Sequence, residues 1–258
     1  MKQGDKFNMM APLGRACYAI CIMALGVQQL AYGKVSVAFL PSAFSDYAVI
    51  RWLTYPWCLA FILSGAGLLT RYASVIALVS GWVLFGLFLF VQVPYLTFMD
   101  PNGGTLLYWA PAMQNLAMAG CSFIVASGQL ESGRWQKMAM RLGPVFFSVM
   151  LFDFGLSHFL YDDFVSRLVP DWIPYPMMWT YLTGSALMGA ATAIVFRIRI
   201  MEVALLLGLM IFSWLLLIHI PRAMADPYMM HGLELTRVFM TIGYTGIAMI
   251  LSSRGVSR

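Results

Sequence analysis

Eight apolar stretches, each about 20 residues long, follow one another along the chain. A helix of this length is what crossing the hydrocarbon core of a bilayer requires. Lipid offers no hydrogen bonds to the backbone, so each stretch is predicted to satisfy its own amides as a helix. The predicted fold is an all-α membrane protein with eight transmembrane helices, at roughly 13–32, 52–70, 73–93, 107–127, 143–160, 176–196, 201–220 and 235–252.

The composition agrees with a chain that lies in lipid. Hydrophobic residues make up 61% of the sequence and charged residues only 10%, whereas a soluble domain carries about 25% charged residues. So few charges cannot cover a water-facing surface of this size, and the lipid bilayer is the predicted main partner. Nucleic acid is excluded as a partner, because no run or stripe of Lys and Arg is present.

The basic residues predict how the helices are oriented. Eleven of the 16 Lys and Arg residues fall on the side of the two termini and of the loops after helices 2, 4 and 6. Cytoplasmic loops carry the excess of Lys and Arg in membrane proteins. Both termini are therefore predicted to be cytoplasmic, in a multi-pass protein of the cell (inner) membrane. The five basic residues on the outer side are Lys34, Arg51, Arg167, Arg222 and Arg237.

The second four helices repeat landmarks of the first four. Residues 26–32 align with 155–161 at an offset of 129, and residues 91–94 align with 218–221 at an offset of 127. Each unit has an even number of helices, so the two units are predicted to be parallel repeats, covering 1–130 and 131–258. The same alignment pairs Gly14 with Gly143, Gly65 with Gly184, Gln114 with Arg237, and Gly120 with Gly243.

The aligned units differ in their polar residues. The second unit carries ionisable side chains where the first carries neutral ones: His158 for Gln29, His219 for Gln92, Arg237 for Gln114, Asp153 for Ala24 and Glu234 for Pro111.

These residues form a predicted polar cluster near the outer ends of helices 5, 7 and 8. Glu234 and Arg237 are three residues apart and can pair on one helix face. Asp153 is placed about 7–8 Å deeper than His158 by the helical rise, and a carboxylate inside a bilayer is expected to find a partner. The candidate site comprises Asp153, His158, His219, Arg222, Glu234 and Arg237, with His231 at the same level.

Four interpretations of the cluster stay open. It is a pocket for a quinone or a small lipid headgroup, with His and Arg donating to oxygens; a metal or haem site held by two histidines; a proton relay; or a satisfied polar network that joins three helices. Metal and haem are the least favoured, because His158 and His219 lie on different helices without the spacing of a ligand motif. The four cysteines form no CxxC pair and are predicted to be buried packing thiols.

Several short motifs of the second unit resemble the DoxX-like superfamily of integral membrane proteins. They are Gly155 with His158-Phe159, residues 168–174 (LVPDWIP), residues 181–184, and His219-Ile220-Pro221-Arg222. The first unit matches through Gln114-Asn115-Leu116 and Gly120.

The resemblance implies a four-helix membrane bundle for each unit, so this chain is similar to a fused pair. Members of the superfamily are associated with quinone-linked sulfur oxidation, with maturation of periplasmic redox enzymes and with oxidative-stress complexes. The resemblance thus implies an accessory factor or subunit of an envelope redox or respiratory process, with quinone as the candidate cofactor and a membrane redox protein or a second copy as partner. The alternative is a non-enzymatic scaffold, or a transporter of a small molecule or lipid. No residue pattern names a reaction, so whether the protein is an enzyme stays open.

Overall fold

The computed structural model describes residues 3–45, 47–128, 133–229 and 232–254. The predicted boundary between the two units, at residues 130 and 131, falls in a gap between these ranges. The helices are α1 (Gln3–Tyr32), α2 (Ala48–Gly67), α3 (Ala73–Leu87), α4 (Leu106–Ala126), α5 (Arg134–Leu160), α6 (Asp162–Ser166), α7 (Pro176–Val195), α8 (Ile200–Trp214), α9 (Ile220–Ala225) and α10 (Leu233–Arg254).

The predicted all-α class is confirmed, because the described ranges contain helices and no strand. All eight predicted stretches are helical, and six of these helices are long and apolar enough to cross a membrane, which is the pattern of a multi-pass membrane protein. Helices α4 and α7 are less apolar and are not among these six. Residues 115–126 of α4 are all buried, so its small and polar side chains face protein and need not be soluble in lipid. The six are Met9–Tyr32, Ala48–Gly67, Ala73–Met99, Arg134–Leu160, Ile200–Ala225 and Leu233–Arg254.

Two of the helices continue past their predicted ends at residues 93 and 220, through the prolines that follow, Pro94 and Pro221. A π-helix, Phe88–Gln92, follows α3, and the helical path then runs through Pro94 to Met99. A second π-helix, Leu215–His219, follows α8 in the same way, and the path runs through Pro221 to Ala225. Proline lacks an amide hydrogen and clashes with the carbonyl one turn earlier, and the wider π-turn accommodates this without ending the helix.

The helices pack in corresponding pairs. Helix α1 packs on α2 as α5 packs on α7, and α3 packs on α4 as α8 packs on α10. Two further extensive contacts, α4 with α5 and α10 with α1, join the two halves of the chain. We call the contacts of α4 with α5 and of α10 with α1 the two seams. At each seam a glycine of one helix faces a glycine of the other. A methyl group on Gly14 would lie 2.2 Å from the carbonyl oxygen of Gly246, and one on Gly120 would lie 2.7 Å from that of Gly143. Small residues of this kind let helix backbones approach closely in membranes.

The seams correct part of the sequence alignment. Gly246, and not Gly243, meets Gly14 as Gly120 meets Gly143. This moves the correspondence in α10 by three residues, close to one helical turn. Arg237 and Glu234 therefore stand opposite Pro111 and Tyr108 rather than Gln114 and Pro111.

The pairing of Gly65 with Gly184 is also displaced. Gly155 packs on the carbonyl of Gly184, whereas its counterpart Gly26 packs on the carbonyl of Cys58. Gly65 packs further along α1, against Ala19. Apolar helices align almost equally well one or two turns out of register, and only the packing distinguishes these alternatives.

The loop between α1 and α2 folds into the bundle. Ala38 and Phe39 are fully buried, and the Gln92 side chain donates to the Ala38 carbonyl over 2.9 Å. Gln29 accepts hydrogen bonds from the Ser36 amide and the Trp57 indole, at 3.0 and 3.1 Å. The corresponding loop of the second half, 161–175, has no buried residue. It contains the short helix α6.

Candidate functional site

Three charged side chains meet where α9 approaches the first turn of α10. Arg222 Nη2 donates to Glu234 Oε1 over 3.0 Å, and Arg237 Nη1 donates to the same oxygen over 2.6 Å. The Glu234 side chain is only 2% exposed, while the two arginines are 35% and 33% exposed. The predicted pairing of Glu234 with Arg237 is confirmed. A buried carboxylate needs such charge-assisted bonds, because it has lost its hydration.

Only one oxygen of this carboxylate is used. Glu234 Oε2 is buried and has no hydrogen-bond partner among the described residues. His219, the last residue of the second π-helix, lies within electrostatic range of Glu234 and both arginines. Its Nδ1 atom is likewise buried without a partner in the described part of the chain. The cluster therefore presents an unsatisfied acceptor beside an imidazole nitrogen that can donate or accept.

The other predicted histidine stands apart from this cluster. His158 Nδ1 is 2.7 Å from the Phe154 carbonyl, one turn earlier on α5. Its ring stacks on Trp214, with centroids 6.3 Å apart and planes inclined by 24°. Neither of these contacts of His158 involves His219. Trp214 immediately precedes the π-helix that ends at His219, so His158 packs just before the segment that carries His219.

Asp153 does not have the partner that the sequence led us to expect. Its side chain is 7% exposed, and Oδ2 has no hydrogen-bond partner among the described residues. No hydrogen bond joins it to His158, whose imidazole bonds a backbone carbonyl instead. The structure thus brings His219, Arg222, Glu234 and Arg237 together and leaves Asp153 and His158 outside the group.

Among the described residues, the side chains that could ligate a metal do not gather in one group, and the cysteines lie in the interior. Within the described ranges no three His, Cys, Asp or Glu side chains come together as metal ligands, and His231 lies outside those ranges. The cysteines are free thiols, with Cys21, Cys58 and Cys121 buried and Cys17 partly so, which confirms the prediction that they pack in the interior.

Sequence reasoning missed the contribution of the first half to this end of the bundle. Gln28 of α1 donates to the Gly232 carbonyl over 2.6 Å and to the Thr236 hydroxyl over 2.9 Å. Tyr32 donates to the Pro227 carbonyl over 2.7 Å. These bonds fix the start of α10, and with it Glu234, against α1. The available signal was the pair of glutamines, Gln28 and Gln29, inside an otherwise apolar stretch.

The same end of the bundle also contains a cavity with polar and apolar lining residues, and none of the six predicted residues lines it. Its volume is about 370 Å³, within the usual range for ligand sites. It lies between the end of α1, the inserted loop and the start of α10. Its lining includes Gln28, Gln29, Lys34, Ser36, Ser42 and Thr236.

The short helix α6 is tied to α7 at the surface. The Tyr181 hydroxyl donates to the Asp162 carboxylate, and this bond lowers the pKa of Asp162 below its usual range.

No family model, no curated protein and no solved structure matches the chain.

Proposed function

We propose that this multi-pass membrane protein binds the oxygen-bearing headgroup of a membrane-resident small molecule, of the quinone type, between His219 and Glu234. In this role it serves a redox or respiratory process of the cell envelope as an accessory factor or subunit. The observation that carries the proposal is the pair of buried, unpartnered atoms, Glu234 Oε2 and His219 Nδ1, within one charged cluster.

The chemistry of these atoms suits a quinone or quinol head. A buried acceptor without a donor costs about 1–3 kcal/mol, and a ligand hydroxyl at Glu234 Oε2 would remove that cost. The imidazole of His219 donates or accepts according to its tautomer, and so it can meet either a ligand carbonyl or a ligand hydroxyl. Arg222 and Arg237, each one-third exposed, pair with Glu234 Oε1 and leave a cationic rim beside the head.

The proposed architecture is eight transmembrane helices in two parallel four-helix repeats, 1–130 and 131–258, with both termini in the cytoplasm of an inner-membrane protein. The corresponding helix pairs, the two glycine seams and the two π-helices before Pro94 and Pro221 support the duplication. The DoxX-like assignment rests on the sequence motifs, one of which, His219-Ile220-Pro221-Arg222, includes two residues of the charged cluster.

The test uses the full-length protein purified in a mild detergent. Bound small molecules are identified by mass spectrometry, and a short-chain ubiquinone is titrated with the thermal unfolding midpoint as the readout. We expect the wild-type protein to be stabilised by the quinone. We expect His219→Gln, which installs the residue found at the matching Gln92, to weaken binding at least about tenfold, or about 1.4 kcal/mol.

The matched control is Glu202→Gln, which removes an exposed carboxylate paired with Arg199 at the opposite end of α8. This variant should bind like the wild type. Equal binding by wild type and His219→Gln would reject the site. Co-purification of a fixed protein partner without any bound small molecule would favour a scaffold instead.

A further inference from the structure

A second cavity lies between three helices on the outside of the bundle. It has a volume of about 360 Å³ and runs along α8 between α1 and α10. It is open on one side, since Leu13 and Leu209 are 54% and 56% exposed. Its surface is apolar throughout, and the hydroxyl of its one threonine, Thr245, is already bonded to the Thr241 carbonyl. The lining residues are Met10, Leu13, Cys17, Ala204, Leu205, Gly208, Leu209, Phe212, Leu215, Ile242, Thr245 and Met249; we call this the open trough.

The matching place in the other half, between α3, α4 and α5, is filled by aromatic rings. Trp82 meets Phe123 edge to face, with centroids 5.0 Å apart. Phe85 stacks on Phe146 at 4.9 Å, and Trp135 meets Trp82 at 5.7 Å. The rings pack against one another across three helices.

The residues that fill one place and leave the other open can be compared directly. The π-helices align α3 with α8, and the two seams align α4 with α10 and α5 with α1. Most of the bulky rings are then replaced by smaller side chains: Leu209 stands for Trp82, Met249 for Phe123 and Cys17 for Phe146. The open trough is therefore the same surface with most of its aromatic filling removed, and only Phe212 is retained in the position of Phe85.

The surroundings of the trough determine what can fill it. Each of its three helices is among those able to cross a membrane, so the medium at its open side is hydrocarbon. From Ala204 to Leu215 the trough is about 16 Å long at 1.5 Å per residue, which is close to half of a bilayer core of about 30 Å. At its deep end Leu215 packs with Ala223 and Val238 and closes it. At the other end α8 begins just after Arg197 and Arg199, two cations at the level of a lipid phosphate.

We propose that the open trough holds one acyl chain of a phospholipid from the leaflet nearest the start of α8, as a resident lipid. A flexible apolar chain fills the volume that the aromatic rings occupy in the other half, and the phosphate lies by the two arginines. This site is separate from the headgroup site near His219 and does not depend on it.

The test uses the whole protein in nanodiscs of phosphatidylethanolamine and phosphatidylglycerol, with a fraction of phosphatidylglycerol that carries a photoreactive diazirine on its acyl chain. After illumination the labelled residues are mapped by mass spectrometry. Labels concentrated on the lining residues of α1, α8 and α10 support a resident chain. Labels spread evenly over these residues and over Leu206, which is exposed elsewhere on α8, would mean ordinary surrounding lipid and would overturn the proposal.

Variants then test the filling itself. Leu209→Trp with Met249→Phe copies two rings from the first half and should reduce labelling of the trough at least about tenfold, while the control Leu206→Trp leaves it unchanged. The reverse change, Trp82→Leu with Phe123→Met and Phe146→Cys, should create labelling on α3, α4 and α5. Unchanged labelling in the filled variant would overturn the proposal. The wild-type map decides the question even where a variant does not fold.

Discussion

The two halves of the molecule use corresponding positions in different ways. In the first half, Gln29 and Gln92 are hydrogen-bonded through both ends of their amides, and these bonds hold the inserted loop. In the second half, His158 bonds its own helix and His219 leaves a buried nitrogen free of partners among the described residues. In the first half these polar side chains hold the loop in place, whereas the second half retains buried polar atoms without partners among the described residues.

The largest effects should come from the seams, which the halves share. Gly14→Leu and Gly120→Leu each force a side chain into a facing backbone, so we expect the loss of monodisperse protein in size-exclusion chromatography, a penalty of about 3 kcal/mol or more. The matched controls Gly86→Leu and Gly189→Leu have nothing within 4 Å of the new Cβ and should purify normally. Tolerance at one seam and failure at the other would show that the seams are not alike.

The next effect should be confined to the charged half. Glu234→Gln removes the negative charge with which two arginines pair at a buried position, and we expect a loss of about 2–3 kcal/mol, less than for a fully buried pair because the arginines reach solvent. Urea or thermal unfolding in mild detergent measures it. The exposed Glu202→Gln should change stability by less than about 0.5 kcal/mol. If the two variants are equally stable, the cluster contributes nothing to the fold.

A smaller contrast separates Gln92 from His219. Gln92→Leu leaves the Ala38 carbonyl buried without its donor and should cost about 1–2 kcal/mol, with faster hydrogen exchange across residues 34–45. His219→Leu removes a buried nitrogen that has no recorded bond, and so stability should be unchanged or higher. A larger loss of stability for His219→Leu than for Gln92→Leu would contradict this comparison, in which Gln92 stabilises the fold and His219 does not.

The smallest effect concerns the surface bond of the second half's loop. Tyr181→Phe removes the hydrogen bond that lowers the Asp162 pKa, so Asp162 should titrate at a higher pH, which NMR of labelled aspartate can follow. The native carboxylate has the depressed pKa, and the stabilisation by this bond is therefore present above the ordinary aspartate pKa and lost as the pH falls through the lower native value. The control Tyr175→Phe should leave the titration unchanged.

Much of the fold could be predicted from the sequence, because apolar length is dictated by the bilayer and not by detailed packing. The eight helical positions and the Glu234–Arg237 pair followed from length and from helical spacing. The continuation of two helices beyond their prolines did not, since a π-turn leaves no mark in composition. The insertion of Ala38 and Phe39 was also missed, because a short apolar run in a connector does not by itself show whether it packs into the bundle.

The candidate site could be predicted only in part, because side-chain contacts depend on tertiary packing. Helix assignment places His219 and Glu234 at one level, but only tertiary packing decides which side chains find partners. Asp153 and His158 lie in the same half, yet the structure gives them no bond to the cluster. Register errors of one turn, as between Gly243 and Gly246, likewise change which residues appear to correspond.

The two seams have a consequence for the order of the chain. The end of α4 lies beside the start of α5, with Gln136 donating to the Ala126 carbonyl, and α10 returns to α1 in the same manner, with Ser252 near Met10. The first and last helices of the described chain, α1 and α10, are thus neighbours, as are the two middle helices, α4 and α5. A circular permutant that joins residue 254 to residue 3 through a short linker, and opens between residues 128 and 133, would keep every helix contact. Packing alone therefore does not determine which half is translated first.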